Sequence, residues 1–346
     1  MMSKIPLYYH EKYGEYRFGK FHPFNPKRFP DFVELVRETP GMDSIIEIME
    51  SPRANDEILG TVHKKNYIER VARLEKNNGN LTMDTPVLKG TPDAGRRIVG
   101  GSLEAARNIK KGKTIINLGG LHHAGPDYGE GFCIFNDVAV AAQHLVDDGK
   151  TVCIFDTDAH QGNGTMDIFY ESSKVLFISI HQDPSTLYPG RGYIREIGHN
   201  AGEGFTVNIP MPRDANITEY DYAIKNVVKP IVAQFNPEVI IRNGGSDPHQ
   251  SDSLTDLALD MRGLEYLGKV SREMADESNS GYIDLMLSGY GLRVVEGWQA
   301  ITKGSLNLDI PLPSDQKIGE IGHEPKKQLK KEMDDLKHIL SDYWDL

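Results

Sequence analysis

Eight short apolar runs, most of them closing on a glycine or a polar residue, limit what this chain can fold into more than any other feature. They are Ile5–Tyr9, Ile45–Met49, Thr114–Leu118, Val152–Phe155, Val175–Ile180, Thr206–Ile209, Val239–Asn243 and Ile283–Leu287. Runs of this length without alternation read as strands buried on both faces. Helical spacing separates most of them, over about 30–38, 56–59, 66–76, 91–110, 136–147, 165–171, 217–235 and 261–278. Alternating strands and helices imply an α/β fold: a mostly parallel eight-stranded sheet sandwiched in three αβα layers. Residues 77–91 and 183–203 read as long loops, and about 325–345 as a charged amphipathic helix with Pro325 in its first turn. No linker-like tract divides the 346 residues, so one domain over 1–346 with a C-terminal helical extension at about 325–346 is expected.

The run Val152–Phe155 turns abruptly into Asp156-Thr157-Asp158-Ala159-His160, followed by Gly162-Asn163-Gly164. Side chains two apart on an extended segment point the same way. Asp158 and His160 can therefore meet at one point, with Asp156 just behind. Carboxylate oxygen plus imidazole suits a borderline divalent cation such as zinc; the plain alternative is a polar loop capping a helix. In parallel sheets, ligands bind beyond the carboxyl ends of the strands. Four runs end there in unusual residues: His122/His123, Asp156/Asp158/His160, Asp247 and Tyr290. Their convergence on one sheet edge is more specific than any single motif.

Composition narrows the function. Net charge is −11, and no basic block of the length nucleic-acid binding favours is present, so no direct nucleic-acid partner is expected. The acidic balance suits a basic substrate. The two cysteines, Cys133 and Cys153, form no Cys-x-x-Cys pair, which points to a reducing, cytoplasmic setting. Residues 1–6 carry no apolar signal core, and no apolar run reaches membrane-spanning length. Gly100-Gly101 lacks the Gly-Lys-Ser/Thr ending or strand-linked Gly-x-Gly-x-x-Gly of a nucleotide site.

The motif text resembles the histone deacetylase superfamily. It matches in Gly119-Gly120-Leu121-His122-His123-Ala124, Gly131-Phe132-Cys133-Ile134-Phe135-Asn136-Asp137, Asp156-Thr157-Asp158-Ala159-His160-Gln161-Gly162-Asn163-Gly164, Gly244-Gly245-Ser246-Asp247 and Ser288-Gly289-Tyr290, in the family's order. The wording is similar to the class IV and bacterial deacetylase-like branches, including acetoin-utilization-type proteins and acetylpolyamine amidohydrolases. The resemblance implies an arginase/deacetylase-like fold and metal ligands Asp158, His160 and Asp247. It implies Zn2+, with Fe2+ as a competitor. Asp252, five residues beyond Asp247, is a rival carboxylate that also reads as a turn or cap. By resemblance His123 is general base and later acid, and His122 its electrostatic partner. Asp156 orients His122, and Asn163 orients His123. Many relatives carry Asp where this chain has Asn163; an amide adds no charge, so His123 is expected to be less basic than with Asp. Tyr290 is the expected oxyanion donor, although Leu287-Ser288-Gly289 replaces the usual glycine run before it. Phe132 and Tyr188 match the walls of an acyl-lysine channel, Leu254 is an expected rim residue or else a core leucine, and Asp84 is expected to accept from the substrate backbone. A structural potassium ion is implied at Asp156, with Asp158, His160, Ser179 and Ile180.

The implied activity is metal-dependent hydrolysis of an acetyl or short acyl amide on a lysine side chain of a protein or peptide. An acetylpolyamine or other small acylated amine is the alternative substrate. An arginase-like reading needs a carboxylate two residues after His160, where this chain has Gly162. A third reading keeps the fold as a catalytically inactive acyl-lysine-binding protein.

Overall fold

All eight apolar runs form strands of one sheet. In the computed structural model, which describes residues 4–315 and 324–346, they are β1 (Ile5–Tyr9), β2 (Ile46–Glu50), β5 (Thr114–Asn117), β6 (Val152–Asp156), β7 (Val175–Gln182), β8 (Thr206–Met211), β9 (Val239–Gly244) and β10 (Gly281–Met286). A separate antiparallel pair, β3 (Asn80–Thr82) and β4 (Thr85–Pro86), lies in the stretch read as a loop over 77–91. That correction has a local cause: Asp84 accepts from the Thr82 and Thr85 hydroxyls and closes the turn between them. The large sheet has the order β2-β1-β5-β10-β9-β6-β7-β8, and every neighbouring pair is parallel. From β5 to β10 every residue of the large sheet's strands is buried. Helices covering both faces remove the alternation that a half-exposed strand would show.

Strand order explains the convergence at one edge. The polar residues read from the sequence follow β5, β10, β9 and β6, four consecutive neighbours in the sheet. Parallel strands lie roughly 4.8 Å apart. Side chains from segments more than a hundred residues apart in the chain are therefore delivered within a few strand widths.

Among the described residues the longer helices follow the expected pattern with one omission, and the single turn Met42–Ile45 was not expected either. Arg28–Glu38, Lys65–Asn77, Thr91–Asn108, Asp137–Asp147 and Met261–Glu277 fall where spacing places them, and Ile217–Phe235 is helical with a π segment at Ile224–Val228. The helix Val294–Leu306 has no counterpart in the sequence reading. It has no side-chain N-cap and contains Gly297 and Gly304, which read as breakers. Their purpose is close packing. A Cβ at Gly304 would lie 1.9 Å from the Glu265 carbonyl oxygen, and one at Gly268 would lie 2.1 Å from that of Ile301. The two helices thus touch backbone to backbone.

The C-terminal helix Lys327–Leu340 buries Leu329, Met333, Leu336 and Leu340, one stripe at helical spacing. Beyond it, Trp344 donates to the Gly204 carbonyl at 2.7 Å and meets Phe205 and Phe235 edge-on. The expected extension, about 325–346, lies within the described residues, and the segment before it, 316–323, lies outside them. Among the described residues no helix is long and apolar enough to cross a membrane.

Candidate active site

After β6 the chain is stitched to both neighbouring strands. Thr157 donates its N–H to the Asn243 carbonyl at 2.9 Å, and Gln182 N–H donates to Ala159 at the same distance. Asp158 therefore sits on a fixed backbone, and its carboxylate accepts the His160 N–H at 2.9 Å. From the end of β9, Asp247 completes the group. His160 Nδ1 lies 3.2 Å from Asp158 Oδ1 and 3.1 Å from Asp247 Oδ2. Asp158, His160 and Asp247 are all buried, and each offers a donor atom within 4.8 Å of the others. Ser288 holds the far oxygen of Asp247 through its hydroxyl at 2.7 Å.

Electrostatics in this cluster are tense. Burial and the facing Asp158 charge push the Asp247 carboxyl well above its ordinary range. Burial opposes charge on His160 too, but its hydrogen bonds to both carboxylates outweigh it and lift the imidazole to about 10. Two desolvated carboxylates and one imidazole nitrogen converging on a point form a donor set that suits a divalent cation. Asp252 does not belong to it. Its oxygens accept the Leu254 N–H at 2.9 Å and the Tyr290 N–H at 2.6 Å, the capping role that its turn position suggested.

The turn following β5 presents the histidine pair, and Asp137 holds that turn. Its carboxylate accepts the N–H groups of Gly120 at 3.1 Å and Leu121 at 2.6 Å and the Ser102 hydroxyl at 2.5 Å. The two rings lie 4.1 Å apart and have opposite settings. His122 Nδ1 is 2.8 Å from Asp156, and its Nε2 is 3.6 Å from Asp158. Burial disfavours its charge, yet Asp156 and Asp158 prevail and raise it to about 9. His123 Nδ1 faces the neutral Asn163 Oδ1 at 2.7 Å. Burial first, then the charges of His122 and His160, hold His123 well below its ordinary value. One imidazole is thus set to carry charge and the other to remain neutral.

Tyr290 sits 5.9 Å, ring to ring, from His160 and 5.6 Å from Phe132. Burial and the charges of Asp158 and Asp247 push its phenol well above the usual range, so it keeps its proton. Its backbone is clamped by Asp252 and by Ser253, whose hydroxyl donates to the Tyr290 carbonyl at 2.8 Å. The unusual Leu287-Ser288 before Gly289 therefore leaves the tyrosine at the site.

Phe132 and Tyr188 border the pair and the tyrosine. Tyr188 meets His123 edge-on at 5.2 Å. Phe132 adopts a positive φ of 65°, strained for a residue with a Cβ, and its backbone N–H donates to the Thr85 hydroxyl at 3.0 Å. Leu254 and Asp84 stand further out. Leu254 is partly buried behind the Asp252 turn, and Asp84 is exposed, its carbonyl 3.0 Å from His22 Nε2. Ser179 is the register partner of Asp156 on β7, and its hydroxyl is 2.8 Å from His181 Nδ1.

Three comparisons bear on this geometry. A family model described as "Histone deacetylase domain" matches residues 22–304. The chain belongs to the histone deacetylase family. A probable deacetylase of Archaeoglobus fulgidus is 34% identical over 290 residues, which cover 82% of this chain and 80% of the relative. The acetoin utilization protein AcuC of Staphylococcus aureus is 32% identical over 345 residues, covering 95% and 86%. Among solved structures, the HD domain of HDA15 superposes with a TM-score of 0.85 at 26% identity, over 99% of this chain and 97% of that one. The three-layer fold is thus that of a deacetylase-family hydrolase.

Sequence reasoning missed several residues around this deacetylase-like site. Arg28 is buried, donates to the Leu287 carbonyl at 2.8 Å, and lies 5.6 Å from the Tyr290 ring. Glu130 accepts from Asn163 Nδ2 at 2.7 Å. His63 bridges the Gly125 carbonyl at 2.8 Å and the Asn136 N–H at 2.9 Å. Asp137 lay inside a quoted motif without a role. A carboxylate or cation inside a Gly- or Pro-rich loop was the available signal, and it is a weak one.

Proposed function

We propose that this chain is a metal-dependent amide hydrolase that removes an acetyl or short acyl group from a lysine side chain. The observation that carries the reading is the buried Asp158–His160–Asp247 group standing beside two histidines, one held by Asp156 and the other by Asn163, and the Tyr290 ring. Asp158, His160 and Asp247 would hold Zn2+, with Fe2+ compatible with the same donors. When bound, such an ion polarises the substrate carbonyl and acidifies water.

The chain's own residues account for the rest. His123, neutral and with Asn163 on Nδ1, takes the proton of the attacking water through Nε2 and later returns it to the leaving amine. His122, held cationic by Asp156, steadies the negative charge that develops beside it. The Tyr290 hydroxyl donates to the carbonyl oxygen as that oxygen becomes an oxyanion. Phe132 and Tyr188 flank the aliphatic stem of the acyl-lysine. Asp84 and Leu254 would meet the substrate outside the channel. Asp156 and the Ser179 hydroxyl, with backbone oxygens of Asp158, His160 and Ile180, would enclose a structural K+.

Exposed apolar side chains support a polypeptide substrate. Phe21, Met83 and Leu292 are 93%, 99% and 101% exposed. Phe21 and Met83 adjoin His22 and Asp84 in the chain, and Leu292 follows Tyr290 by two residues. Large apolar side chains left in water at a site's mouth suit a polypeptide more than a hydrophilic polyamine. A panel of acetyl-lysine peptides, acetylpolyamines and longer acyl-lysines, assayed with zinc and with iron(II), tests the reading. Peptides should give the highest kcat/KM. Faster turnover of acetylpolyamines would transfer the chain to small amines. Tight binding of acetylated peptides without turnover would support the non-catalytic alternative.

A further inference from the structure

The amide of Asn163 has two orientations of nearly the same shape, and only one lets His123 act as a base. With Oδ1 toward His123, Nδ1 of the ring carries the proton and Nε2 keeps its lone pair. With the NH2 group there instead, the proton must sit on Nε2. The sequence residue alone does not choose between them.

The surroundings do choose. Resting on the deacetylase reading above, we propose that Glu130 is a positioning residue that fixes the Asn163 amide, and through it the Nδ1–H form of His123. Glu130 Oε1 lies 2.7 Å from Asn163 Nδ2. A carboxylate only accepts hydrogen bonds, so the group facing it is the NH2. The second N–H of that group reaches the Tyr128 oxygen at 3.3 Å. Tyr128 spends its own proton on Asp167 Oδ2 at 2.6 Å, which leaves its oxygen as the acceptor. Arg191 pins Asp167 at 3.1 Å and is itself held by Glu196 at 2.9 Å. Both amide protons are thereby claimed on one side, and Oδ1 is left for His123 at 2.7 Å. Burial first, and then the Glu130 charge, push the Tyr188 phenol up, so the same carboxylate bears on the channel wall and on the base. Where many relatives place Asp directly against this histidine, here the acceptor-only group stands one residue further out, behind an amide.

The test uses the full-length, metal-loaded protein. Glu130→Gln replaces an acceptor-only group with one that can also donate, so both Asn163 orientations become satisfiable. The imidazole 15N spectrum of His123 should then change from a single Nδ1–H form to a mixture, and kcat should fall about threefold to tenfold with metal content and thermal midpoint unchanged. Asn163→Asp alone sets two carboxylates against each other and should lower kcat further. In the double variant N163D/E130Q, the new amide donates to the new carboxylate, and kcat should recover above N163D. A Glu130→Gln protein with wild-type 15N spectrum and kcat, or a double variant no better than N163D, would overturn the proposal. The spectrum needs no turnover. A wild-type chain inactive on acyl-amines would sink the deacetylase reading while the proton's position on His123 stayed measurable.

Discussion

Replacing Tyr290 by Phe removes one hydroxyl and little else. The ring keeps its neighbours, Phe132 at 5.6 Å and His160 at 5.9 Å. The backbone keeps its clamp from Asp252 and Ser253. Among the described residues the hydroxyl has no side-chain hydrogen bond to lose, so the fold should be as stable as before. The phenol is pushed well above its usual range by burial and by the Asp158 and Asp247 charges, so the wild-type hydroxyl keeps its proton and can donate a hydrogen bond. Losing one such donor to an oxyanion costs roughly 3–4 kcal/mol, or about a hundred- to a thousandfold in kcat. KM should change little, because the contact strengthens only as the oxyanion forms. The assay is steady-state hydrolysis of an acetyl-lysine peptide, with metal content and thermal midpoint measured on the same preparations. A kcat within threefold of wild type, at equal metal content, would refute the assignment of Tyr290.

Acid should weaken the fold through buried neutral histidines. His63 and His181 are held down to about 4 by burial, below the ordinary value of about 6.5. A depressed pKa contributes stability above the unfolded value, and that stability drains as pH falls from about 6.5 toward 4, by up to roughly 3 kcal/mol per group. Urea midpoints at pH 7.5, 6, 5 and 4 should fall steeply, and a flat profile to pH 5 would contradict this. Asp252→Ala should free the Tyr290 backbone and cut kcat by about tenfold while metal content holds; loss of the ion would mean that Asp252 is a ligand after all. Gly304→Ala forces a methyl toward the Glu265 carbonyl and should lower the denaturant midpoint by the equivalent of about 1–3 kcal/mol; an unchanged midpoint would mean that the two helices separate at no cost.

What was legible in the sequence was whatever burial writes into composition. The strands β5 to β10 of the large sheet are covered on both faces, so their runs are continuous and their ends stand out. Asp158 and His160 were legible because two-residue spacing on an extended chain fixes their shared direction. Asp247, His122, His123 and Tyr290 could be placed at one edge by strand ends, while their roles came from the family resemblance. The helix Val294–Leu306 was hidden because Gly297 and Gly304 serve contact with other segments rather than local conformation. Arg28 and Glu130 were hidden for a related reason. Arg28 finds its partner at Leu287, 259 residues away, and Glu130 matters only through the amide it faces. Local pattern carries no trace of such pairings.

The account rests on three side chains gripping a single cation. Metal analysis of the purified chain should give one zinc or iron per molecule. Asp247→Ala should weaken that binding by at least about a hundredfold, while Asp252→Ala leaves it intact. Two ions per wild-type chain, or an Asp247→Ala protein that holds its metal as tightly as wild type, would contradict it.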